Sequence, residues 1–131
     1  MSKFFHFHRT NIESFKTTWQ TSKVFRLSFI FSWIVWLVVL AAPFLRLMPT
    51  AEGGQYIPLH YNIFFGVDKF GPWYMIFQLP LFGLLVIAIN SFFSVRFFGR
   101  EKALSIFLVV MALLVQLMLL AAMYFVTLLN L

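Results

Sequence analysis

Apolar residues run almost unbroken over three stretches, approximately 27–45, 73–95 and 103–128, and none of them contains a charged side chain. A helix crosses a hydrocarbon core in about 20 apolar residues, so each stretch predicts a transmembrane helix. The pattern between the first two stretches is different. Pro58 pushes Ile57 toward an extended backbone, and from Tyr56 to Phe64 an extended chain places Ile57, Leu59, Tyr61 and Ile63 on one face and Pro58, His60 and Asn62 on the other. This predicts a short strand or strand-like segment. Gly66 then offers a position where positive φ costs little, Asp68 is placed to close a turn, and Gly71-Pro72 is read as the start of the second span.

Ahead of the first span, residues 1–26 are polar with a helical apolar stripe. Thr10 and Glu13 have capping-box spacing. Ile12, Phe15 and Trp19 share one face flanked by Lys16 and Lys23, the pattern of a helix lying at a lipid interface. The fold class read from these elements is an all-α membrane protein: an N-terminal interfacial amphipathic helix within 1–26, and a three-helix transmembrane domain over 27–131 with a short ordered external loop at 46–72. Trp73 and Tyr74 are expected to join the interfacial anchors, because amphipathic rings favour the headgroup level.

Polar residues inside the spans mark where helices should meet. Ser28 and Ser32 permit close approach, and Trp33 and Trp36 lie deep enough to pack on neighbouring helices. Gln78, Asn90 and Gln116 find no partner in hydrocarbon, so each is expected to make an interhelical contact. Pro80 is expected to kink the second span by removing its bond to Ile76. The turn Phe97–Lys102 is tight and predicts an antiparallel hairpin of the second and third spans, with Gly99 as a C-cap.

Composition agrees with the pattern. Of 131 residues, 62% are apolar and 11% charged, with a mean hydropathy of +0.90, well outside the soluble range. The net charge of +6 is not gathered on a soluble module, which argues against a nucleic-acid partner. The cations flank the spans instead: Lys3, Arg9, Lys16, Lys23 and Arg26 before the first, and Arg96, Arg100 and Lys102 between the second and third, with Arg46 and Lys69 opposite. The positive-inside rule then puts the N-terminus in the cytoplasm and the 46–72 loop and C-terminus outside a plasma (inner) membrane. The polar N-terminal segment is too long for a signal-peptide n-region, so the first span is expected to be a retained anchor.

There is no cysteine, so disulfide and thiolate chemistry are excluded. His60, Asn62 and Asp68 form the candidate external cluster. A metal site normally needs three or four ligands and only two good ones are present; the His6-Phe7-His8 pair falls on the opposite side of the membrane. A hydrolase would need a nucleophile and oxyanion donors in register. The cluster therefore reads as a structural or recognition site, with no catalytic residue, metal or cofactor.

Pro58-Leu-His-Tyr-Asn62, Gly66-Val-Asp68 and Gly71-Pro-Trp73 together resemble a group of uncharacterised small three-span bacterial membrane proteins, over about residues 55–131. Ile57-Pro-Leu-His60-Tyr-Asn62 is also similar to an I-P-x-H-[FYW]-N element of larger bacterial membrane proteins of unknown function, some linked to toxin immunity. In that pattern Gly follows His by five positions, whereas Gly66 follows His60 by six. The expectation is a non-enzymatic membrane protein acting as a scaffold, accessory subunit or immunity-type factor, in contact with membrane lipids and either self-associated or part of a larger complex. The alternative is an oligomeric transporter or channel whose polar seam is Gln78, Asn90 and Gln116.

Overall fold

The computed structural model describes residues 13–47 and 56–130. Helix α1 covers 13–21, and α2 covers Lys23–Ala42 and ends in a π turn at Pro43–Leu47. Strands β1 (Tyr56–Asn62) and β2 (Gly66–Pro72) follow, then a 3-10 turn at Trp73–Phe77, α3 (Gln78–Phe97) and α4 (Lys102–Leu129). The continuous helical stretches Lys23–Arg46, Trp73–Phe97 and Lys102–Leu129 are 24, 25 and 28 residues long. At 1.5 Å per residue each outreaches a hydrocarbon core of about 30 Å. The protein is a multi-pass membrane protein. The expected all-α class needs one correction, because the loop forms a two-stranded antiparallel sheet rather than an isolated extended segment.

The chain divides into two compact units, residues 1–33 with 85–115 and residues 34–84 with 116–131. In the first, Ser22 separates α1 from α2 and caps α2, its Oγ accepting from the Phe25 amide at 3.2 Å. That joint brings the α1 stripe onto the start of α2. Phe15 stacks on Trp19 with centroids 5.8 Å apart, and the edge-on pairs Phe15–Phe25 and Phe15–Phe29 stand at 6.0 and 5.9 Å. Phe25 is fully buried. Phe15 and Trp19 therefore form a helix–helix joint with Phe25 and Phe29, the third and seventh residues of α2, while Phe15 keeps an exposed face. Lys16 and Lys23 remain exposed. Thr10 and Ile12 lie outside the described residues.

Deeper in this unit, Ser28 and Ser32 are buried, with Ser32 Oγ donating to the Ser28 carbonyl at 2.7 Å. The α3–α4 turn closes through the Arg100 and Glu101 amides, which both donate to the Phe97 carbonyl at 2.9 and 2.8 Å. Gly99 does not take the left-handed conformation expected of a C-cap, since Gly66 alone has positive φ among the described residues. The clamp between α3 and α4 is a serine pair. Ser94 Oγ donates to the Ser105 carbonyl at 2.7 Å and stands 2.9 Å from Ser105 Oγ, and both residues are fully buried. Asn90 makes no such crossing. Its Nδ2 donates to the Val86 carbonyl of its own helix at 2.9 Å, which satisfies the amide locally and corrects the expectation of an interhelical contact.

In the second unit, Trp36 Nε1 donates to the Pro80 carbonyl at 2.7 Å, tying α2 to α3. Pro80 is the third residue of α3, directly after the 3-10 turn, and the amide it lacks is one that the preceding turn would otherwise have accepted from. The irregularity in the outer third of the span, where Pro80 is expected to bend it, is the 3-10 turn Trp73–Phe77 that precedes α3. Gln78, the first α3 residue, is exposed and makes no described interhelical bond, a second correction to the predicted contacts. Gln116 does cross. It is fully buried and its Nε2 donates to the Gly83 carbonyl at 2.9 Å. A Cβ on Gly83 would stand 2.7 Å from Gln116 Oε1, so the glycine Cα hydrogen points at that oxygen. A weak C–H···O contact thus accounts for the one Gln116 atom with no conventional partner.

The hairpin is seated on this unit's core. Ile57 is buried in one cluster with Val39, Ile76, Met123 and Val126, and Leu59 and Trp73 pack against it. Trp73 is half-buried in this packing, whereas Tyr74 is 61% exposed.

Candidate functional site

The hairpin begins where Pro58 excludes helix. Pairs run from Tyr56↔Pro72 to Asn62↔Gly66. The ladder becomes irregular between Pro58 and Tyr61, where His60 stands opposite Lys69 and Leu59 and Asp68 have no direct partner. Asp68 is therefore a strand residue, in contrast to the turn-closing role expected of it. Asn62 performs that role, its Oδ1 accepting from the Phe64 amide at 2.9 Å. Gly66, at φ 74°, turns the chain into β2.

The irregular rungs bring two members of the predicted cluster together. His60 Nδ1 lies 2.7 Å from Asp68 Oδ1. With the carboxylate ionised, Nδ1–H donates, which holds the ring orientation and leaves Nε2 outward as the second polar atom. The two side chains are 63% and 36% exposed, and exposed pairs of this kind contribute at most about 1 kcal/mol. Asn62 is not part of the pair; it is spent on the turn.

Beneath this face of β1 lies a groove of about 580 Å³, lined by His60, Tyr61, Leu79, Phe125 and Leu129 among others. Its walls are apolar, and the imidazole and the Tyr61 ring are its polar-tipped members. The lining suits an aliphatic chain better than a polar substrate, and it holds no serine, threonine or cysteine that His60 could activate. Among the described residues no three His, Cys, Asp or Glu side chains are grouped as a metal site would require.

Two features of the site were not read from the sequence. The first is Asn130, whose Nδ2 donates to the Pro58 carbonyl at 3.0 Å and to the Val126 carbonyl at 2.8 Å. It fastens β1 to the end of α4. An amide just beyond a long apolar helix was the available signal. Asn130→Ala should leave the helices intact while raising amide hydrogen exchange across Tyr56–Asn62 by roughly 3- to 10-fold, the equivalent of about 1 kcal/mol of local stability.

The second is the hairpin tip. Ile63, Phe64 and Phe65 are 81, 85 and 83% exposed, three consecutive large apolar side chains on a turn whose base is pinned. Comparison of the chain with protein-family models, curated proteins and solved structures gave no match.

Proposed function

We propose that this is a non-enzymatic membrane protein that works by contact, as a scaffold, accessory subunit or immunity-type factor, with the hairpin as its recognition element. The observation that carries this reading is the Ile63-Phe64-Phe65 tip, which exposes a contiguous apolar surface on a support fixed by Ile57 and Asn130. Preorganised presentation of aromatic anchors lowers the ordering cost of association.

In this reading the N-terminus is cytoplasmic and the hairpin and C-terminus are external in the plasma (inner) membrane, following the flanking cations. The His60–Asp68 pair bridges the two strands at the irregular rungs below the tip. The transporter alternative draws less support: the Gln116 amide is packed against Gly83, Asn90 is satisfied within its own helix, and Gln78 is exposed.

A photoreactive residue at Phe64, activated in native membranes, tests the proposal. The expected result is one discrete protein adduct, either a second copy or a single partner, that falls at least about five-fold when Ile63 and Phe65 are both changed to serine, as loss of interface anchors of this type requires. Adducts to lipid alone, or protein adducts indifferent to those substitutions, would overturn it.

A further inference from the structure

A second concave surface lies within the first unit and does not involve the hairpin. Residues Glu13, Ser14, Thr17 and Thr18 of α1 face Arg96 and Arg100 across a groove of about 460 Å³, floored by Phe98 and Gly99. The three crossings put the joint between α1 and α2 and the turn between α3 and α4 on the same membrane face, so the groove opens at headgroup depth.

Its charge is unbalanced. Two guanidiniums meet one carboxylate, and among the described residues neither Arg96 nor Arg100 forms an ion pair. The end of α3 favours cations there through its dipole, and both guanidiniums are exposed to a ligand entering the groove. Thr17 and Thr18 bond back to the Glu13 and Ser14 carbonyls at 2.8 Å each, so the α1 wall is held in helical register. Thr18 is completely buried. The opposite wall is held by the Ser94–Ser105 clamp one turn away. The cavity is thus built from fixed backbone, with flexible cationic side chains at its mouth.

We infer that this groove binds a phosphate group, with Arg96 and Arg100 as its ligands. Arginine donates two parallel N–H bonds to one phosphate, and two arginines lining one groove, Arg96 in the last turn of α3 and Arg100 in the turn that follows, can engage different oxygens of it. A phosphate at the level of the bilayer surface comes either from an anionic phospholipid headgroup or from a soluble phosphate compound, and the recognition chemistry is common to both. Anionic headgroups are captured by basic pockets between membrane helices in the same manner.

The test uses the full-length protein in a neutral detergent. Native mass spectrometry would follow adduct formation on addition of phosphatidylglycerol, phosphatidylcholine or inorganic phosphate. We expect one saturable phosphatidylglycerol adduct per chain, reduced about ten-fold by Arg96→Gln/Arg100→Gln and unaffected by Lys23→Gln, a cation on the same membrane face outside the groove lining. Competition by millimolar inorganic phosphate would assign the site to the phosphate group itself, and its failure to compete would assign it to the intact headgroup; either supports the groove. Equal retention of phosphatidylglycerol by the double variant and the wild type, or an equal loss in Lys23→Gln, would show diffuse charge attraction and overturn the inference. Should the double glutamine variant fail to fold, Arg96→Lys/Arg100→Lys keeps the flanking charge while removing the paired donors. A drop of three-fold or more is expected there, and unchanged binding would overturn the inference equally.

Discussion

Gly83→Val should lower the stability of the protein by roughly 2–4 kcal/mol, the sum of an overpacked contact and a lost interhelical hydrogen bond. The cause is specific. The first atom of any side chain at position 83 would stand 2.7 Å from Gln116 Oε1, 3.0 Å from Leu119 Cδ1 and 3.3 Å from Gln116 Nε2. The amide has to leave, and in doing so it abandons the Gly83 carbonyl inside a medium that offers no substitute. Equilibrium unfolding in mixed detergent micelles would measure the loss.

The same geometry predicts a compensation. Two of the three obstructing atoms belong to Gln116, so Gly83→Ala should be tolerated better once Gln116 is alanine. The double variant is expected to be at least about 1 kcal/mol more stable than the sum of the two single losses predicts. Strict additivity would mean that Gly83 and Gln116 are not coupled and that the close approach of α3 to α4 has another origin.

Ile57→Ala should release the hairpin. Ile57 is 6% exposed and packs with Val39, Ile76, Met123 and Val126, and truncating a buried isoleucine costs about 2–5 kcal/mol where the site cannot collapse. What else holds the strand is partly buried or marginal: Leu59 and Trp73 at the edge of the same cluster, the Asn130 bond to the Pro58 carbonyl and a two-stranded ladder that is marginal by itself. The loss should therefore appear locally. Hydrogen exchange is expected to rise by 30-fold or more over Tyr56–Asn62 and Gly66–Pro72, following about 2 kcal/mol of lost protection, with the α4 amides unchanged. Uniform exchange throughout the chain would contradict the separation of hairpin docking from helix packing. A released hairpin should also lose the Phe64 cross-link, because its tip would no longer be presented on a fixed support.

The three spans were legible because bilayer thickness imposes a length and hydrocarbon forbids charge, and both constraints are written residue by residue. The extended start of the hairpin was legible from Pro58, whose effect on its neighbour is local. Its second strand was not. Gly66–Pro72 contains two glycines, a proline, an aspartate and a lysine, a composition that reads as turn, and only pairing with β1 makes it a strand. The Ser94–Ser105 clamp could have been noticed, since the two serines stand equally far from the centre of the α3–α4 turn.

The sequence by itself determined how many times the chain crosses, where it turns and which residues are polar enough to need a partner. Tertiary structure decided which of them obtain one: Gln116 crosses to Gly83, Asn90 turns back on its own helix, Gln78 stays exposed and Asp68 meets His60. The physical reason is that a membrane span is apolar on every side, because lipid tails and neighbouring helices are equally apolar surroundings. No periodic contrast then marks which face of a helix turns inward. That choice falls to close fits between particular atoms, such as the room left by the absent side chain of Gly83, and these exist only once the helices are packed.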